Sequence, residues 1–259
     1  MKALSSLNDQ QKTAVEFNAG PHMIVAGAGS GKTRVLTQKI AYLIEDGYEP
    51  SSILALTFTN KAAKEMKERI KKLIGKKADE LWMGTFHSIF ARILRTEADK
   101  LNYKPNFSIY DREDSVSLVS NILQNLEITI DSLTSSSIQH RISKMKNQMI
   151  TPLEYAKNFA ETHIDKKVAE IYTEYNKRLY ENNAMDFDDL LIKPIELFNI
   201  NPEILAKYKA QFKYLLVDEY QDTNKAQYEM LKLLAAPKGK ICVVGDDAQS
   251  IYGWRGAEI

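Results

Sequence analysis

A chain of 259 residues with 44% hydrophobic content is long enough to bury one large or two modest cores. Its 35 Lys and Arg against 34 acids exclude bulk electrostatic attraction to nucleic acid or membrane, so any such surface must come from local segregation of charge. Cys242 is the single cysteine, which excludes an intramolecular disulfide and a multi-cysteine zinc site and fits a buried, inert thiol in a reducing cytosol. The opening "MKALSSLNDQQ" has no apolar signal core, and no apolar run approaches the roughly 18 residues of a membrane span, so the sequence reads as soluble, intracellular and cytoplasmic.

The β-rich run "MIVAG" (23–27) feeds "GKTRVLTQKIAYLIEDG" (31–47), where Leu36, Ile40 and Leu43 share one helical face and Gly47 suits the position just past a helix end. "SILALTF" (52–58) and "ELWMGTF" (80–86) repeat the arrangement, and strands alternating with helices predict a parallel sheet covered on both faces. From Asp111 to about Asn183 the pattern changes to helix signals alone. These are Asp111 with Asp114 as a relative of the capping box, "SVSLVSNILQNL", Pro152 near a helix start, and "VAEIYTEYNKRLY". Strand character resumes with "KYLLVDE" (213–219) and "KICVVGD" (240–246) on either side of the helix-like "NKAQYEMLKLLAA". The expectation is an α/β fold, a parallel sheet flanked by helices, interrupted by an all-helical insertion domain, with intervals 1–110, 111–183 and 184–259.

The loop after the first strand runs Ala26, Gly27, Ala28, Gly29, Ser30, Gly31, Lys32, Thr33 and fits [AG]-x-x-x-x-G-K-[ST], with Ala in place of the stricter first Gly. Glycines let consecutive backbone N–H groups curl around phosphate oxygens, and the following helix offers its positive N-terminal end. Lys32 then reaches the β and γ phosphates and the Thr33 hydroxyl binds magnesium, which implies a nucleoside triphosphate with Mg2+. A dinucleotide fingerprint is the rival, but "GAGSGK" lacks the G-x-G-x-x-G spacing.

"YLLVDEYQD" ends a buried strand with Asp218 and Glu219 at the edge where such sheets bind ligands. Asp218 is placed to hold magnesium through water, and Glu219 to orient and deprotonate an attacking water, which makes the reaction hydrolysis. The bland alternative is a solvated acidic turn. The segment "NKAAKEMKERIKKLIGKK" carries Lys61, Lys64, Lys67, Arg69, Lys71, Lys72, Lys76 and Lys77 against Glu65 and Glu68, which can attract a phosphate backbone or be a solvated helix face. "SIYGWRG" places two aromatics and an arginine beside glycines, the ingredients of a stacking platform for unpaired bases.

Together with "LNDQQKTAV", "TFTNKAAKEM", "GTFHSI", "DFDDLL", "VDEYQDTN" and "GDDAQSIYGWRGA", these pieces resemble the UvrD/PcrA/Rep-like superfamily-one DNA helicases in order and spacing over residues 7 to 258. The resemblance implies the first of two RecA-like motor domains, with its helical insertion. It implies that Gln11 hydrogen-bonds adenine and so selects ATP, that Arg34 lies close to the nucleotide, and that Gln249 senses the γ-phosphate. It also implies that Phe58, Asn60, Thr85 and His87 lie along a single-stranded DNA path whose base-stacking end is Tyr252, Trp254 and Arg255. The family's G-D-x-D-Q is here Gly245, Asp246, Asp247, Ala248, Gln249, without the acid before the glutamine.

The function so implied is ATP-dependent translocation on single-stranded DNA, 3′ to 5′, with unwinding at single-strand/duplex junctions, in repair or replication restart with accessory repair proteins. The sequence stops at Ile259, before any motif of the second motor domain, so the fragment is expected to bind ATP and DNA weakly without unwinding. Other readings are a helicase-nuclease motor portion, a metabolic P-loop kinase, or a non-enzymatic DNA-binding module.

Overall fold

A computed structural model of the chain describes residues 4–27, 29–128, 133–235 and 239–246. Local chemistry sets most helix starts. Asn8 caps α1 (Asp9–Glu16) in a reciprocal box with Gln11. After β1 (His22–Val25), Gly31 in the left-handed region opens α2 (Lys32–Glu45). β2 (Ile53–Thr57) leads to α3 (Asn60–Ile74), capped by the Thr59 hydroxyl, and β3 (Trp82–Thr85) runs directly into α4 (Phe86–Glu97). β4 (Ser108–Tyr110) precedes α5 (Arg112–Asn125), which is opened by the Asp111–Asp114 capping box. Threonine caps start α6 (Ser135–Asn147), α7 (Pro152–Asn158) and α8 (His163–Glu181), each accepting from the backbone N–H three residues on. β5 (Ala184–Asp186), α9 (Asp189–Ile200), α10 (Pro202–Gln211), β6 (Tyr214–Val217), α11 (Lys225–Ala235) and β7 (Lys240–Gly245) complete the order.

By contact the chain divides into two units, which it enters and leaves within α4, within α9 and near residue 224. The first comprises Met1–Ile89, Phe198–Thr223 and Gln227–Ile259. Its sheet is all parallel in the order β1-β7-β6-β2-β3. β2 and β6 are buried at every position, as the unbroken runs "ILALT" and "YLLV" require of central parallel strands, whereas β1 at the edge alternates. Leu36, Ile40 and Leu43 of α2 pack with Met66 and Ile70 of α3 onto Ala55, Leu216 and Val244. Trp82 meets Tyr208 and Phe212 edge-on, with ring centroids 6.4 and 5.2 Å apart. Cys242 is buried in this core, and burial pushes its thiol up to about 11, in keeping with an inert role. The register Val25↔Gly245, Val217↔Val243, Val217↔Leu56 and Thr57↔Thr85 brings the carboxyl ends of all five strands to one edge.

The second unit comprises Phe90–Leu197 and Asn224–Ala226. Its core includes Val119 and Ile122 of α5, Ile142 of α6, and Tyr172, Tyr175 and Leu179 of α8. It extends beyond the interval 111–183 on both sides and carries a two-stranded parallel sheet, β4 with β5, so as a contact unit it is not purely helical. Strands of three residues are too short to show a period-2 pattern, which is why they carry no sequence signal. The "DFDDLL" segment lies here: Asp186 and Asp189 exchange backbone and side-chain hydrogen bonds at the start of α9 (2.8 and 3.3 Å). Both acids pair with the buried Lys146, at 2.7 and 2.8 Å. Among the described residues, no helix is long and apolar enough to cross a membrane.

Candidate nucleotide site

The loop leaving β1 is fixed at its first residue, where Ala26 N–H donates to the Gly245 carbonyl at 3.0 Å. Gly29 (φ 74°) and Gly31 (φ 89°) occupy the left-handed region that a side chain would strain. The Ser30 hydroxyl donates to the Gly27 carbonyl at 2.7 Å, closing the curl. Ala28 lies outside the described residues. Thr33 is half-buried in the first turn of α2, one residue from Lys32.

Gln11 meets this loop: its Nε2 donates to the Ser30 carbonyl at 2.9 Å, and a Cβ on Gly31 would stand 3.0 Å from that nitrogen. Its Oε1 accepts from Asn8 N–H at 3.2 Å, so the capping box orients the amide. Helix α1 is held to α2 by Lys39, whose ammonium donates to the carbonyls of Val15 (2.9 Å) and Phe17 (2.6 Å) and to Asn18 Oδ1 (3.1 Å). Sequence reasoning missed Lys39. The available signal was a lysine on the same helical face as Leu36, Ile40 and Leu43. Arg34 is exposed, and its guanidinium donates to the Ser6 carbonyl.

Lys32 Nζ lies 3.2 Å from Asp246 Oδ2, with the two side chains 9% and 5% exposed. Asp246 directly follows β7, next in the sheet to β1, so the pair joins the loop to the neighbouring strand end. On the other side of β7 stands β6, with Asp218 anchored by its N–H to the Leu56 carbonyl at 3.0 Å. Asp218 is 3% exposed. Burial, and then the negative charge of Glu219, push its carboxyl up to about 6. Glu219 has φ 49°, a left-handed turn that ends the strand and starts the 3-10 turn Tyr220–Asp222. The Gln221 amide donates to Glu219 Oε2 at 2.9 Å and accepts from Asp246 N–H at 3.0 Å. Neither Gln221 nor the Lys32–Asp246 pair was singled out from sequence, because nothing in the spacing of "VDEYQD" and "VVGD" states that the two strands are neighbours.

A divalent cation fits this corner. Asp218 is buried and the half-buried Glu219 follows it, so a cation would neutralise the charge whose burial displaces the Asp218 carboxyl upward. Among the described residues no three His, Cys, Asp or Glu gather as a metal-binding group. The half-buried Thr33 hydroxyl and the buried Asp218 carboxylate are oxygen donors of the kind Mg2+ takes, and they are the residues that would hold it.

Phe58, Asn60, Thr85 and His87 are brought to the same sheet edge by the β2–β3 register. Phe58 and Phe86 rings lie 5.4 Å apart at 57°. Asn60 is exposed at the start of α3, and His87 is half-buried in α4. Thr85 is buried, its hydroxyl accepting from Ser88 N–H at 3.2 Å. Gln249, Tyr252, Trp254 and Arg255 lie outside the described residues. The α3 lysines are less uniform than their spacing implied: Lys67 and Lys71 both pair with Asp79, at 3.3 and 3.2 Å, and these contacts hold the Asp79 carboxyl below its ordinary value. Asp79 sits just past the basic run and was not counted with it.

Comparison with known proteins gives a consistent result. Residues 7–259 match the UvrD/REP helicase N-terminal domain. Proteins named ATP-dependent DNA helicase PcrA from Staphylococcus aureus and Bacillus subtilis are each 48% identical over 257 residues, covering 99% of this chain and 35% of the relative. The protein of that name from Staphylococcus epidermidis is 48% identical over 261 aligned positions, covering 100% of this chain and 36% of its own. The chain therefore spans about a third of the length of these relatives.

Proposed function

The chain belongs to the UvrD/REP helicase N-terminal domain family, and from that premise we propose that it is the ATP-binding portion of an ATP-dependent DNA helicase. The observation that carries the reading is the buried corner in which Lys32, at the end of the glycine loop, faces the strand ends bearing Asp218, Glu219 and Asp246. Lys32 exchanges the Asp246 carboxylate for the β and γ phosphates of ATP, an exchange of one anion for another in the same protected place. Thr33 and Asp218 hold Mg2+, which when bound neutralises phosphate charge. Glu219 orients the attacking water and takes its proton. Among the remaining loop residues, Ala26 fixes the loop to β7 and Gly27 to Gly31 offer backbone N–H groups to phosphate oxygens. Gln11 reads adenine, Arg34 lies beside the nucleotide, and Gln249 responds to the γ-phosphate.

The proposal extends to a cytoplasmic DNA translocase that moves 3′ to 5′ on single strands and opens duplex junctions. Phe58, Asn60, Thr85 and His87 line the path of the strand, and Tyr252, Trp254 and Arg255 stack on its bases. The intervals 1–110 and 184–259 form the motor domain and 111–183 its insertion, with a second motor domain and accessory repair proteins as partners. A second motor domain supplies arginines of a kind worth about 10³ to 10⁵ in rate, so these 259 residues alone bind ATP and DNA weakly and turn over slowly. Hydrolysis by the chain, measured with and without a single-stranded oligonucleotide, tests this. Slow turnover with measurable oligonucleotide binding is expected. Absence of any binding to DNA would remove the path, and robust DNA-stimulated turnover by a monomer would remove the need for a second domain.

A further inference from the structure

We propose that Gln221 is the positioning residue for Glu219, a buried carboxamide that sets the carboxylate at the end of β6 against the end of β7. The inference rests on the reading of Glu219 as the group that orients the attacking water. Gln221 is 8% exposed and engages both ends of its amide: Nε2 donates to Glu219 Oε2 at 2.9 Å, and Oε1 accepts from Asp246 N–H at 3.0 Å. A backbone donor on one side and a carboxylate on the other leave one sensible orientation of the amide, oxygen toward the N–H and nitrogen toward the acid. A carboxylate at this position would face another carboxylate, and an aliphatic side chain would supply neither bond.

The geometry around this bridge is built for it. Glu219 leaves the strand at φ 49°, so its side-chain direction departs from that of the strand, and a long flexible acid there needs a partner to occupy one rotamer. Gly245 gives Gln221 its room, since a Cβ on that glycine would lie 3.1 Å from Gln221 Oε1 and 3.5 Å from its backbone nitrogen. Gly245 is not among the glycines with positive φ, so close approach rather than backbone conformation is what calls for glycine there. The residue whose N–H orients Gln221 is also the one whose carboxylate holds Lys32 at 3.2 Å. Lys32, Asp246, Gln221 and Glu219 thus form one line from the phosphate lysine to the water-orienting acid. A phosphate that draws Lys32 away acts on the same residue against which Gln221 is set.

The test compares Gln221→Leu and Gln221→Glu with the unsubstituted 259-residue chain. Three quantities are read: affinity for a fluorescent ATP analogue with Mg2+, single-turnover ATP hydrolysis against pH, and the crystal structure of Gln221→Leu. Expected are unchanged nucleotide affinity, a fall of about 10²-fold in turnover as for a misplaced catalytic group, and a displaced Glu219 carboxylate. For Gln221→Glu, which keeps the size, the ratio of its rate to that of the unsubstituted chain should recover as pH falls, because a protonated carboxyl donates again while the effect of pH on Asp218 is common to both proteins. A merely structural role would not produce that recovery. An unmoved Glu219 carboxylate in Gln221→Leu, or equal turnover in all three proteins, would overturn the proposal. If hydrolysis by the unsubstituted chain is too slow to measure, as the missing arginines allow, the position of Glu219 in Gln221→Leu decides the role of Gln221 on its own, and an unaltered ATP analogue affinity separates that outcome from a failed nucleotide site.

Discussion

Among the described residues two lysines are buried against aspartates, and their surroundings differ in kind. Lys146 is 2% exposed and makes short contacts to Asp186 (2.7 Å) and Asp189 (2.8 Å). Asp186 also accepts from the Tyr175 hydroxyl at 3.0 Å. Burial by itself would depress Lys146, but the two aspartates outweigh it and hold the ammonium well above its ordinary value. Lys32 has a longer contact, 3.2 Å, to the single carboxylate of Asp246, and it lies at the foot of a glycine loop whose residues are mostly exposed. The first arrangement is closed and satisfied, a structural knot. The second is a buried charge beside the backbone donors of an exposed loop, where one anion can replace another. Burial of an ion pair therefore does not distinguish structure from function; the completeness of its partners does.

The comparison breaks most visibly in stability. Lys146→Met leaves Asp186 and Asp189 buried without their cation and should cost about 3 to 5 kcal/mol in a denaturation curve. Lys32→Ala strands one buried carboxylate instead of two, across a longer contact, and should cost less, about 1 to 3 kcal/mol. Equal losses would mean that the Lys32 corner is as structural as the other.

An intermediate effect concerns Asp218. Its folded value near 6 lies above the ordinary 3.8, so between those pH values the folded state holds the proton that the unfolded chain has released. Stability without nucleotide should thus fall as pH rises from 4 to 6, and Asp218→Asn should raise it at pH 7 by about 1 to 3 kcal/mol. The Mg2+-dependent part of nucleotide affinity should move the other way, disappearing as pH falls through 6, and should be absent from Asp218→Asn. Calorimetry and titration over pH 4 to 8 check both signs.

How far these differences were legible in the sequence depends on distance along the chain. The strand–loop–helix of residues 23–47 is local, so its glycines and apolar face predicted the element, with Lys32 at the helix start. The Asp111–Asp114 box and the Pro152 start were local as well. Lys32 and Asp246 are 214 residues apart, and only the sheet order β1-β7-β6 makes them neighbours. Lys146 with Asp186 was hidden for the same reason, across 40 residues and two different elements. "DFDDLL" was conspicuous by resemblance, yet its physical content, two acids that cap a helix and neutralise a buried lysine, needed the fold.

The smallest effect belongs to lysines that are not buried. Lys61 has no ion-pair partner among the described residues, whereas Lys67 shares Asp79 with Lys71. If α3 meets a single strand, Lys61→Gln should flatten the slope of log affinity against log salt by about 0.7, and Lys67→Gln by less. Oligonucleotide titrations at several salt concentrations read this directly, and identical slopes for both variants would show that the Asp79 pairing has no bearing on DNA.

The central claim, that the glycine loop and Lys32 form a triphosphate site, is tested most directly by one equilibrium titration of a fluorescent ATP analogue with Mg2+ into the chain and into Lys32→Ala. Saturable binding to the unsubstituted chain is expected, with loss of most of that affinity in Lys32→Ala and the folded state retained by circular dichroism. Superimposable titrations for the two proteins would contradict it.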